Sequence, residues 1–130
     1  MLPLSPENKM TLIDTNVILR YILNDIPEQA DKAELVINLG AFTLPEVVAE
    51  VIYVLTKLYG VPRNKIAEII IPLFDEIAIQ YKDVIICAVK VFAETTLDFV
   101  DCILISRNKV LNEPVFSFDK KLNKQLKTQS

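Results

Sequence analysis

Four short apolar stretches, each followed by a longer segment of helical periodicity, constrain this chain most. They are Thr11-Leu12-Ile13, Ala41-Phe42-Thr43-Leu44, Ile77-Ala78-Ile79-Gln80-Tyr81 and Pro114-Val115-Phe116-Ser117-Phe118. None is joined to the next by a hairpin-turn dipeptide. Strands linked only through helices pair in parallel, with the helices packed on the faces of the sheet. The expected fold is therefore α/β, a short central parallel sheet sandwiched by helices.

The helical segments carry their own start and stop signals. A helix is expected from Asp14-Thr15-Asn16 to about Asn24, and another from Pro27 to Gly40. Pro45 to Gly60 is the clearest, with Val47, Val48, Val51, Ile52, Val54, Leu55 and Leu58 on one face and Glu46, Glu50, Tyr53 and Lys57 on the other. Pro62 to about Glu76 repeats the pattern, with Pro72 expected to kink it or end it early. Asp83 is read as the cap of a helix from Val84 to about Phe92, and Thr95-Thr96-Leu97-Asp98 as a capping box opening a helix to Leu111. Lys120 to Lys127 is a basic closing helix. Residues 1–9, with Pro3 and Pro6, read as an extended lead-in, and 10–130 as one domain.

The absence of histidine excludes more chemistry than any other number. Ser-His-Asp and Cys-His catalysis, His-ligated zinc and paired-histidine RNA cleavage all fall away. Proton chemistry must run through carboxylates, lysines or metal-bound water. Cys87 and Cys102 lie far apart in apolar runs and read as small buried hydrophobes. No apolar run is long enough to span a bilayer and no signal peptide is visible at the start, so a cytoplasmic protein without a membrane partner is expected. Hydrophobic residues make up 52%, enough to cover a subunit interface as well as a core, and an oligomer is expected.

Asp14 and Asp119 each end an apolar stretch and precede a helix. On parallel neighbouring strands their carboxylates would leave the same sheet edge, where ligands bind in open α/β sheets. Glu50 and Asp101 lie on helices that return from that edge. Glu46 and Glu50, four apart, repel, as do Asp98 and Asp101, three apart. Each acid also has a plainer reading. Asp14 and Asp119 taken singly are N-caps, Glu46 is a first-turn acid favoured by the helix dipole, and Asp98 completes the capping box. Glu50 and Asp101 read as lying past the first turn among apolar neighbours, so each wants a partner. An all-oxygen ligand field suits Mg²⁺ or Mn²⁺. The formal charge of −3 becomes +1 if Asp14, Glu50, Asp101 and Asp119 are set aside as metal ligands (−3 + 4), so net charge does not exclude a polyanionic partner.

Leu12-Ile13-Asp14-Thr15-Asn16-Val17-Ile18-Leu19-Arg20-Tyr21, Pro45-Glu46-Val47-Val48-Ala49-Glu50-Val51, Leu97-Asp98-Phe99-Val100-Asp101-Cys102 and Val115-Phe116-Ser117-Phe118-Asp119-Lys120-Lys121-Leu122, in that order and spacing, resemble the motifs of PIN-domain nucleases. The likeness is narrower to the VapC-like toxins of toxin-antitoxin pairs. It implies a three-layer α/β/α sandwich and a metal-dependent endoribonuclease with Asp14, Glu50, Asp101 and Asp119 as catalytic metal ligands. It implies Asn16 and Ser117 as polar neighbours that orient ligands or substrate, with Asp98 beside them. Mg²⁺ or Mn²⁺ as cofactor, RNA as substrate, a cognate antitoxin and a dimer follow from the same likeness. Thr96 stands where the family often has Gly, and Cys102 where Ala is usual.

RNA would need cations around the acids. Lys57, Arg63 and Lys65 form one candidate group, Arg107 and Lys109 a second, and Lys120, Lys121, Lys124 and Lys127 a third; a solvated surface is the plain reading of each. Arg20 would serve either substrate or an ion pair. Two other functions fit the residues less well. A phosphatase with Asp14 as nucleophile would have a second Asp where this chain has Asn16. A PIN-like domain that only binds RNA or protein would have no need of four acids.

Overall fold

The computed structural model describes residues 9–126, so the proposed lead-in and Lys127 lie outside the described residues except for Lys9. The elements run β1 (Thr11–Leu12), α1 (Thr15–Leu23), α2 (Pro27–Gly40), β2 (Ala41–Thr43), α3 (Pro45–Lys57), α4 (Arg63–Ile70), β3 (Ile77–Ile79), α5 (Lys82–Glu94), α6 (Phe99–Leu111) and α7 (Lys120–Gln125). The sheet order is β1-β2-β3 and both pairings are parallel, with Thr11 opposite Ala41 and Ala41 opposite Ile77. The first three apolar stretches form a short parallel sheet carried by helices, and the arrangement is the expected three-layer α/β/α fold.

Helix starts and stops follow their local chemistry. Pro27 and Pro45 open α2 and α3, where a missing N–H costs nothing. Gly40, at φ +116, ends α2 in a conformation that L side chains avoid. Beyond α3, Gly60 at φ +63 turns the chain so that the Val61 N–H reaches the Leu55 carbonyl at 3.0 Å. At Pro72 the α-helix gives way, as expected, to a 3₁₀ turn over Ile71–Asp75.

The core is almost wholly aliphatic: Ile13, Val51, Ile52, Leu55, Ile66, Ile70, Ile77, Ile85, Val89 and Ile105 are buried within it. Each such side chain removed from water stabilises the fold by about 1.5–3 kcal/mol. Packing links α1 to α2 and α3, α5 to α4 and α6, and α6 to α3 and α7. Phe92 of α5 meets Phe99 of α6 edge to face at 6.1 Å. Cys87 and Cys102 are free thiols; burial pushes Cys102 up to about 11, so it packs as a hydrophobe.

Three expectations are corrected. Pro114–Phe118 forms no strand and pairs with none among the described residues, the chain bending at Phe118, and Phe116 and Phe118 are 85% and 90% exposed. Alternation specifies an extended chain, whereas pairing needs a neighbour in space. The Thr95–Asp98 capping box does not form. Thr95 instead finishes α5, its hydroxyl donating to the Val91 carbonyl at 2.9 Å and accepting the Leu97 N–H at 3.3 Å, and Asp98 occupies the N-cap position of α6 without a side-chain cap bond. Asp83 likewise lies within the first turn of α5, because Tyr81 in the left-handed region starts that helix.

Candidate functional site

Asp14 and Asp119 occupy equivalent local positions. The Asp14 carboxylate caps α1, its Oδ1 accepting the Val17 N–H at 3.0 Å. The Asp119 Oδ1 caps α7 by accepting the Leu122 N–H at 3.0 Å. The plain N-cap reading is therefore true of both. Capping occupies one oxygen of each carboxylate, and Oδ2 remains for other work.

Glu50 lies in the second turn of α3 and is exposed. The Thr15 hydroxyl, next to Asp14 on α1, donates to Glu50 Oε1. This bond brings the Asp14 turn and the Glu50 helix together. Thr15 was not among the sequence candidates, and nothing local marks it out, since its partner is 35 residues away.

Asp101 is half-buried in the first turn of α6, a correction to its expected position, because that helix begins three residues later than the capping box would place it. Burial holds its carboxyl above the ordinary 3.8, and the facing carboxylates of Asp119 and then Asp98 push in the same direction. Asp119 and Asp98 both act on Asp101, so the start of α6 and the start of α7 share one negative field. Ser117 fixes the turn: its hydroxyl accepts the Asp119 N–H at 2.9 Å, and its carbonyl accepts from Asn123 Nδ2 at 2.8 Å. Asn16 lines a groove of about 450 Å³ together with Asp14, Arg20 and Lys32.

The acids thus fall into two sets, Asp14 with Glu50 through Thr15, and Asp101 with Asp119 and Asp98. Among the described residues no three acidic side chains stand close enough to hold one metal ion. The donors still suit Mg²⁺ in kind, because that ion is typically bound through one or two carboxylates, waters and substrate phosphate.

The three candidate arginines and Lys65 are committed elsewhere. Arg63 Nη1 donates to the carbonyls of Phe92, Thr95 and Leu97 at 3.0, 2.8 and 2.8 Å, and its guanidinium lies 3.9 Å from the Phe92 ring centroid. It ties α4 to the α5–α6 turn. Arg107 makes a two-pronged pair with Glu113 at 2.6 and 2.9 Å, which lowers the Glu113 pKa and raises its own. Arg20 pairs with Asp25 at 3.2 Å, and Lys65 with Glu68 at 3.5 Å. Lys57 makes no ion pair among the described residues and opens onto a groove between α3 and α6.

Residues 11–125 match the family model described as "PIN domain". The chain belongs to the PIN-domain family, whose members are typically nucleases. PIN domains generally use divalent metal ions. No curated protein and no solved structure matches the chain. No helix among the described residues is long and apolar enough to cross a membrane.

Proposed function

We propose that this chain is a metal-dependent endoribonuclease that hydrolyses RNA phosphodiesters with activated water at its acidic edge, and that it is the toxin of a toxin-antitoxin pair. One observation carries the reading: residues 11–125 match the PIN domain, and within that match the Thr15 hydroxyl joins Glu50 to the Asp14 turn. Burial and the nearby Asp119 and Asp98 also push Asp101 toward its protonated form, a cost that a bound cation would relieve.

Asp101 and Asp119 would hold Mg²⁺ or Mn²⁺ from one side, and Asp14 and Glu50 would serve from the other. When bound, the ion supplies a water of lowered pKa and neutralises charge on the phosphate. The chain's own residues prepare the donors. Thr15 steadies Glu50 through Oε1, the α1 and α7 N-termini each fix one oxygen of Asp14 and Asp119, and Ser117 sets the Asp119 turn. Asn16, exposed beside Asp14 in the same groove, would touch substrate.

A cognate antitoxin would present a basic arm to the same acids. A homodimer is supported by exposed apolar residues such as Leu39 at 80% and Leu58 at 74%. The division of the acids into two sets favours one other reading, a PIN-like domain that binds RNA or protein without cutting it.

The test is cleavage of a defined RNA by the purified chain. Cutting in Mg²⁺ or Mn²⁺ that stops in excess EDTA is expected. Cutting that persists in EDTA sinks the metal mechanism, and RNA retention without any cutting establishes the binding-only reading. Expression of the chain beside Asp14→Asn tests the toxin role. Growth arrest by the parent alone is expected, and unaffected growth removes that role.

A further inference from the structure

The groove between α3 and α6 is of about 420 Å³ and is lined in part by Ile52, Tyr53, Lys57, Asp98, Phe99 and Val100. That volume suits one small ligand group. Most of its lining comes from the two helices that carry Glu50 and Asp101, the rest from the α3–α4 turn, Arg63 and Phe92. On α3, Glu50, Tyr53 and Lys57 follow at helical spacing, so the face that holds Glu50 continues into the groove. On α6, Asp98 lies three residues before Asp101 and acts on it electrostatically.

The groove combines an apolar floor, a displayed ring and a cation. Phe99 is buried at 5% exposure, whereas Tyr53 is 62% exposed and Val100 60%. An aromatic ring left open to solvent beside an amine is how proteins hold single-stranded nucleic acid, with the base stacked on the ring and the cation on the backbone. Arg63 also reaches this groove, but three carbonyls occupy its Nη1, so the phosphate contact falls to Lys57.

We infer that this groove is a nucleobase subsite for single-stranded RNA, with Tyr53 as the stacking platform and Lys57 on the adjoining phosphate. The inference rests on the nuclease reading above and adds where the strand beside the cut bond lies. A hydrophobic partner helix or a second copy of the chain would be poorly served by walls carrying both Lys57 and Asp98.

The test is binding of a short labelled single-stranded oligoribonucleotide to the full chain in EDTA, followed by fluorescence anisotropy. Tyr53→Ala is expected to weaken binding by about tenfold or more, and Tyr53→Phe, which keeps the ring, by less than about twofold. Lys57→Gln is expected to lower the slope of log affinity against log salt by about 0.7. Tyr53 is exposed, so unchanged thermal melting is expected for its variants.

Equal binding by the parent and Tyr53→Ala overturns the inference, as does absence of binding by the parent. A change of oligomeric state in Tyr53→Ala with RNA affinity intact overturns it in favour of a copy-to-copy interface. Tyr53-dependent binding by a chain that never cuts RNA supports the subsite and removes the nuclease. Metal-dependent cutting without Tyr53-dependent binding does the reverse.

Discussion

The two halves of the acidic site are anchored by different means. Asp14 leaves a strand laced to its neighbour, with the Ile13 N–H on the Phe42 carbonyl at 3.0 Å and the buried Thr43 hydroxyl on the Ile13 carbonyl at 3.0 Å. Glu50 rides on a thirteen-residue helix that packs on α1. Asp101 and Asp119 instead depend on side chains, the Arg63 guanidinium gripping the turn before α6 and the Ser117 hydroxyl gripping the turn before α7. A ladder spreads its hold over many small bonds, whereas a clamp concentrates it in one residue. Single substitutions should therefore reach further in the second half than in the first.

Arg63→Met is the hardest test of that contrast. It keeps the apolar stem but removes three charge-assisted bonds and the contact over Phe92, and a loss of about 3 kcal/mol in chemical denaturation is expected. A loss below about 1 kcal/mol would show that the α5–α6 turn holds itself. Thr43→Val, in the other half, removes one buried hydroxyl bond and should cost about 1–2 kcal/mol by the same measurement.

Asp101→Asn should act in the opposite direction. The raised folded pKa means that the native chain binds more protons than the unfolded one as pH rises from about 3.8 through the folded value. Stability contributed by this group falls across that window and stays low above it. The Asn variant should melt higher than the parent at neutral pH and lose that advantage in acid, while losing RNA cleavage. A variant that melts lower at neutral pH would mean that Asp101 is satisfied by its helix terminus. Phe116→Ser with Phe118→Ser should change stability least, by less than about 0.5 kcal/mol, since both rings are exposed and touch each other at 5.1 Å. A cost of several kcal/mol would show that this segment joins the sheet.

Helices were legible because their signals are local: Pro27 and Pro45 at the starts, Gly40 at a stop, Pro72 at the change to 3₁₀. The parallel order of the first three strands followed from the helices between them. What stayed hidden depends on contacts between distant residues. Val115-Phe116-Ser117-Phe118 alternates like a strand, yet nothing in four residues says whether a neighbour will accept its hydrogen bonds. Thr95 and Asp98 each offer a capping oxygen, and the choice fell to the Arg63 grip on Thr95 and Leu97, 32 and 34 positions away. The same commitment removed Arg63 from its expected place in a basic patch. Asp14 and Asp119 were legible as turn acids because capping is local. Their mutual placement with Glu50 and Asp101 was not.

With the sheet order β1-β2-β3, one side of β1 has no partner strand among the described residues. Leu12 is 51% exposed there, and an unpaired strand edge can take up another chain through its main-chain groups. Self-association of this domain should thus rise with protein concentration, and a lysine placed at Leu12 should limit it by making edge-to-edge stacking costly. Asp14 and Glu50, brought together past the end of that strand through Thr15, would then serve a second purpose, as repulsion that keeps one molecule from growing onto the next.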